Sequence, residues 1–340
     1  MNDPSSRPKG VTPLGILAAL IGVALFAYAI RQAGIDEIIV GVRRLGWGFA
    51  AVLALSAVRD AVRTVAWQAA VEGDRPLGFV DGWAGRVTGE ALGNLTPFGL
   101  LVSEPAKAAY VRHRVPLAAG FAGTVVENLF YSLSVVVVVG LGLVVLLVGF
   151  PVPPPLRVVS LIALATFVGV GAGLAWMIAA RPLVVTGTVN RLKRVGLAPA
   201  TLARWATGLV DLEAQVVGFA ARHPRRTLRM AAMDGLFHVA AVAEVYLVLA
   251  LIAQDAPPTL LTAFILETVN RIVTVAFKFV PLRLGVDEAA SGFVSNVLQL
   301  GTATGVTLAI VRKARVLAWS AVGVVLMAHR SRNDHGTLTK

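Results

Sequence analysis

The chain has 340 residues, 56 % of them hydrophobic and only 15 % charged, and it contains no cysteine. Soluble globular domains are about one quarter charged, so that class is excluded, and the missing cysteine excludes disulfides, thiolate metal sites and cysteine nucleophiles. A net charge of +12 would suggest nucleic acid in a soluble protein, but beside long apolar runs it points to basic loops against anionic lipid, with no nucleic-acid partner.

A spanning helix needs about 20 mostly apolar residues. A short tail, 1–11, carries Arg7 and Lys9 and precedes the first candidate, Thr12–Ile30. It reads as an uncleaved span, because its apolar stretch is long for a signal peptide. Gln32–Leu45 is an amphipathic connection with Arg43 and Arg44, and Gly46–Val71 is the second span. Arg59, Asp60 and Arg63 sit near its middle and read as a self-neutralised patch. Phe79–Arg114 is apolar but broken around Thr96-Pro97-Phe98-Gly99. Proline in a helix removes a backbone bond and clashes with the preceding turn, and lipid tolerates such a break only where protein or water satisfies the freed groups. The segment therefore reads as a re-entrant helix pair. Pro116–Val148 and Leu156–Ala180 are uninterrupted spans, followed by a basic amphipathic connection, 181–228, and the span Met230–Ala253. Thr259–Leu300 is a second broken segment, interrupted at Pro281-Leu282-Arg283-Leu284-Gly285. Thr302–Ala328 is the last span and 329–340 a basic tail.

The expected fold class is therefore all-α, a polytopic membrane helix bundle of about six full spans plus two re-entrant pairs. One membrane domain covers 12–328, with halves of about 12–148 and 156–328. Lys and Arg mark cytoplasmic loops. The stretch containing Arg181, Arg191, Lys193, Arg194 and Arg204 is placed inside, which puts both termini in the cytoplasm and the protein in the inner membrane. The two breaks resemble each other: Pro97 and Glu104 enclose six residues, as do Pro281 and Glu288, and both blocks end in Leu-x-Val-x-Glu. With opposite orientations, this is the pattern of an inverted repeat, in which a substrate site is lined by broken helices at the repeat interface.

Ionised side chains at mid-bilayer cost about 2.5–3.5 kcal/mol, so they face a bundle interior or a wet cavity. Arg86, Glu90 and Asn94 recur every four residues and form one polar stripe, with Gly85, Gly89 and Gly93 as an adjacent ladder that admits a close helix. Glu104 and Lys107 share a helical face and suit a zwitterionic or phosphate-bearing headgroup. Glu267 and Arg271 are an i,i+4 pair, and Lys278 continues that face. Arg283, Asp287 and Glu288 surround the second break, and Lys313 and Arg315 need acidic partners such as Asp287 or Glu288. Asp234 and His238 are four apart, with a structural histidine preferred to a proton relay. Glu127 and Arg312 lie at similar depths from opposite sides, about 17 and 15 Å at 1.5 Å per residue. They are expected to form an ion pair across the repeat interface, serving as strut or gate. No phosphate-binding G-x-x-x-x-G-K-[ST] run occurs, and the five histidines show no H-x-x-x-H spacing. No cofactor, metal or catalytic residue is expected.

On these motifs the chain resembles the lysylphosphatidylglycerol synthase transmembrane-region family, also called flippase-like domain proteins, from about Leu14 to Ala328. That family has a first P-x-(G/R)-x-G-E-x-x-R block, an E-R in the next helix, a second P-G-G-L-G-x-x-E block and a later arginine. Pro97, Glu104 and Lys107 fall on the first block, Glu127 on the E of E-R, Pro281, Leu284, Gly285 and Glu288 on the second block, and Arg312 on the last arginine. The chain departs from the pattern at Ser103, Lys107, Asn128 and Leu282-Arg283. The resemblance implies lipid translocation. Full-length synthases add a soluble transferase domain, and only about a dozen residues follow the last span here, so synthase activity is not expected.

The expected function is a lipid flippase-like transporter rather than an enzyme. Arg86, Lys107, Lys278 and Arg283 would hold phosphate, Glu90, Glu104 and Glu288 an amine or coupling protons, and Asn94 would line the same cavity. Membrane lipids are the expected partners, with anionic headgroups at the cytoplasmic face. The alternatives are a membrane-embedded transferase acting on a lipid-linked substrate and a non-transporting partner of a separate lipid-modifying enzyme.

Overall fold

The computed structural model describes residues 31, 35–73, 75–96, 99–180, 186–188, 191, 210, 213–216, 218–253, 256–277 and 283–337. The first predicted span, most of the basic connection, Pro97, Lys278 and Pro281 lie outside the described residues. Among those described there is helix and no strand.

Helix α1 (Ile35–Leu45) is amphipathic and carries Arg43 and Arg44 in its last turn, where positive charge complements the helix dipole. Gly46 has φ +40°, a backbone setting glycine adopts without steric cost. The chain turns there by 72° into α2 (Gly48–Ala70). The predicted start of the second span at Gly46 is thus a corner, with Trp47 94 % exposed at its outside.

Helices α3 (Phe79–Leu95) and α4 (Gly99–Tyr110) form the first broken segment. They pack tightly against each other. The glycine ladder explains why: a Cβ on Gly89 would lie 2.8 Å from the Ser103 carbonyl oxygen, and one on Gly93 3.0 Å from that of Gly99. The close helix admitted by the ladder is therefore α4 itself. Helix α5 (Leu117–Gly149) is long and uninterrupted, and α6 (Pro154–Ala180) packs on it. Much of α6 is exposed, including Val158, Val159, Leu161 and Ile162, as suits a face against lipid.

Helix α7 (Pro224–Ile252) starts with a proline in its first turn, where no backbone N–H is needed. Helix α8 (Leu260–Ala276) is closed by a capping box: Thr259 Oγ1 accepts from the Thr262 N–H at 3.1 Å, and the Thr259 N–H donates to Thr262 Oγ1 at 2.9 Å. The second break ends at Gly285, φ +80°, from which α9 (Val286–Val297) starts. The Gly285 N–H donates to Glu288 Oε2 at 2.8 Å, so this glutamate caps its own helix. Helix α10 (Thr302–Thr337) completes the chain.

By length and composition, α5, α6 and α7 can each cross a membrane, and the bent α1–α2 pair can count as a fourth span. Helix α2 carries Arg59, Asp60 and Arg63, and α10 carries Arg312, Lys313 and Arg315. Their charge separates both from an ordinary apolar span. Helix α2 runs along α7, α5 packs on α8, and α10 packs on α3 and α9. The main apolar core draws Leu45, Val52, Leu146, Leu249, Leu266 and Leu308 from α1, α2, α5, α7, α8 and α10. The charged faces of α2, α3, α7, α8 and α10 thereby turn inward together.

Candidate functional site

The inward charges form ion-pair networks. The first starts on α4, where Lys107 Nζ lies 2.9 Å from Glu104 and 3.7 Å from Glu90 on α3. Glu90 pairs with Arg86 at 2.6 Å, and Arg86 reaches Glu127 on α5 at 3.6 Å. Glu127 meets Arg63 on α2 at 2.8 Å, and Arg63 meets Asp234 on α7 at 3.4 Å. The chain of contacts crosses five helices. All its side chains are buried except Glu90, whose side chain is 37 % exposed and gives the network its opening.

Arg63 is the hub. Besides Glu127 and Asp234 it donates to Asn128 Oδ1 at 3.4 Å, and its guanidinium lies 3.6 Å from the centre of the Tyr131 ring. A guanidinium over an aromatic face is attracted by the ring quadrupole.

Two further groups centre on carboxylates of the second half. Glu244 on α7 accepts from Arg59 on α2 at 2.7 Å and from Arg315 on α10. Glu267 on α8 pairs with Arg271 at 2.6 Å and with Arg312 on α10 at 3.3 Å. Arg271 also donates to the Tyr131 hydroxyl at 2.6 Å. At the second break, Lys313 Nζ donates to Glu288 Oε1 at 2.6 Å, to Asp287 Oδ2 at 3.4 Å and to the Arg283 carbonyl at 3.4 Å. Arg283, at φ +48°, pairs with Asp287 at 3.2 Å. Glu288 is fully buried.

Local expectations and distant ones fare differently. Arg86–Glu90, Glu104–Lys107 and Glu267–Arg271 pair as helical spacing requires. Asn94, on the same helix, joins no ion pair and donates to Ser320 on α10 at 3.4 Å. The expected Glu127–Arg312 ion pair is not formed. Glu127 is taken by Arg63 and Arg86, and Arg312 by Glu267, because each finds an opposite charge on a nearer helix. The Arg59–Asp60–Arg63 patch is not self-neutralised: both arginines turn to carboxylates on other helices. Lys313 takes Asp287 and Glu288 as expected, whereas Arg315 takes Glu244. His238 contacts Ser134 at 3.0 Å and stacks on Tyr131, a packed position. Sequence reasoning missed Arg63 as a hub and the aromatic pair Tyr131 and Phe237. The available signal was an uneven charge balance within single helices, which demands partners elsewhere.

At the rim, pairing is weaker. Arg114, 61 % exposed, pairs with Asp81 at 3.1 Å. Exposed pairs contribute about 0–1 kcal/mol, so Arg114→Ala is expected to leave the apparent melting temperature within about 2 °C of the parent. A drop of several degrees in a detergent unfolding series would show that this rim pair carries structure.

Against known proteins, the model of the family described as Lysylphosphatidylglycerol synthase TM region matches residues 15–323. No curated protein and no solved structure matches the chain.

Proposed function

The chain belongs to the lysylphosphatidylglycerol synthase transmembrane-region family and has helical apolar spans, and from that premise we propose that it is an inner-membrane lipid transporter of flippase-like type. One observation carries the reading: an unbroken path of ion pairs from Glu104 to Asp234, enclosed by apolar helices. Such a path is costly in hydrocarbon and serves a polar cargo that must cross it.

The packing supports an inverted repeat in which α2–α5 correspond to α7–α10. Helices α3 and α4 pack together, as do α8 and α9; α4 packs on α5, as α9 does on α10. Across the halves, α5 packs on α8 and α10 on α3, each at a glycine: Gly142 against Thr268 and Gly323 against Val87. Charges correspond too. Arg86 and Glu267 are each the eighth residue of their helices, and Glu127 and Arg312 each the eleventh. In this reading both termini are cytoplasmic, and the two broken pairs are re-entrant, open to opposite sides and stand beside about six full spans.

The headgroup travels between the halves while its acyl chains stay in the bilayer. Arg86, Lys107, Lys278 and Arg283 hold phosphate, and Glu90, Glu104 and Glu288 hold an amine. Rocking of one half against the other changes access, with Glu127 and Arg312 at mid-depth in each half.

The test is a scramblase-type assay on reconstituted vesicles, following loss of a fluorescent headgroup label to an impermeant quencher. The parent protein is expected to move labelled phospholipid, and Glu104→Gln and Glu288→Gln to slow it about tenfold, the equivalent of one charge-assisted contact. Vesicles in which no labelled lipid moves, or in which both variants run at the parental rate, refute the reading.

A further inference from the structure

Around two carboxylates of the second half there is an excess of guanidinium. Glu244 sits between Arg59 and Arg315, and Glu267 between Arg271 and Arg312. Each is one carboxylate to two cations. The two triads are neighbours: Arg59 and Arg271 share no carboxylate, yet their guanidinium carbons lie 4.8 and 4.9 Å from the centre of the same Phe237 ring. Arg312 and Arg315 are one turn apart on α10. The Nε atoms of Arg59 and Arg271 are buried and donate no hydrogen bond.

This polarity is not a packing requirement. The corresponding triad of the first half, Glu90–Arg86–Glu127, has the reverse composition, with partner distances of 2.6 and 3.6 Å. The second-half triad has 2.6 and 3.3 Å. Either polarity ties helices together equally. In direct contact, four guanidiniums share two carboxylates, and an excess of buried charge of one sign is expensive. The first network carries the opposite excess, four carboxylates to three cations, so the interior is polarised. A guanidinium presents a planar fork of donors that matches the oxygens of a phosphate.

We propose that the two Arg–Glu–Arg triads beside Phe237 form an anion seat for a phosphate group, either free or carried on a lipid headgroup. Arg59 and Arg271 offer it their unused donors beside the Phe237 ring. The seat deepens the transport reading and rests on it for the lipid-borne form.

The experiment uses the full chain in detergent. Binding is read from the rise in melting temperature on titration with inorganic phosphate, dihexanoyl phosphatidylglycerol, or dihexanoyl glycerol, which lacks phosphate. The phosphorylated ligands are expected to stabilise the protein and the glycerol not. A response to inorganic phosphate marks a seat for the free anion; a response to the phospholipid alone marks a headgroup seat. Arg271→Lys keeps a positive partner for Glu267 but loses the fork, so it should fold and bind about tenfold more weakly. Glu267→Gln frees two arginines and should bind several-fold more tightly, which a merely structural strut would not do. No stabilisation by either phosphorylated ligand, a parental affinity in Arg271→Lys, or weaker binding in Glu267→Gln overturns the seat. If phosphate binds but vesicles show no lipid movement, the transport reading fails and the seat stands. If lipid moves and Arg271→Lys binds as the parent does, the seat alone fails.

Discussion

Replacing Arg63 by glutamine is expected to lower stability by about 3–5 kcal/mol, the usual cost of breaking a buried ion pair from one side. Arg63 is 3 % exposed, and it serves Glu127, Asp234, Asn128 and the Tyr131 ring at once. Its loss leaves Asp234 without its ion-pair partner and Glu127 with only the longer contact to Arg86, at 3.6 Å. Most of the cost lies in those stranded carboxylates, not in the arginine. The loss in the double variant Arg63→Gln/Asp234→Asn should therefore fall short of the sum of the two single losses by about 0.5–3 kcal/mol, the coupling between contacting residues. Detergent unfolding of the parent, both single variants and the double variant measures this. Additive losses would mean that Arg63 acts through packing, and the hub assignment would be wrong.

Gly305→Val is expected to be comparably severe for a steric reason. A Cβ on Gly305 would lie 2.1 Å from the Ser291 carbonyl oxygen and 2.6 Å from Ser295 Cβ. The nearest obstacle is backbone, so no side-chain rotation relieves it, and α9 must move away from α10. Overpacking costs about 1–3 kcal/mol, occasionally more. The displacement also draws Lys313 on α10 from Glu288 on α9, a contact of 2.6 Å, and leaves a fully buried carboxylate unpaired. Gly235→Ala is the control: it lies in helix α7 with nothing within 4 Å of the added carbon, and should gain up to about 1 kcal/mol from helix propensity. Equal melting temperatures for the two variants would show that the α9–α10 contact is looser than this geometry.

The breaks near Pro97 and Pro281 were legible because proline acts on its own turn, and the capping glutamate Glu288 lay in the motif that identified the second break. The Gly85, Gly89 and Gly93 ladder announced a close neighbour without saying which. Helix α1 shows a limit of hydropathy. Its apolar residues run on toward α2, but the positive φ of Gly46 turns the chain by 72°, and composition does not encode that angle.

Among the described residues, the sequence by itself determined which segments are helical, where two of the apolar ones break, and which pairs form within a helix. Those properties depend on neighbours a few residues apart, whose geometry is set by the 3.6-residue turn. Only the tertiary structure decided that Glu127 meets Arg63 and Arg86 while Arg312 meets Glu267, and that Arg59 and Arg315 share Glu244. Position along a helix was readable, but an ion pair also needs two helix faces to meet. Which faces meet follows from how side chains interlock at each helix crossing, and many carboxylates of equal chemistry compete for each guanidinium until that packing is set.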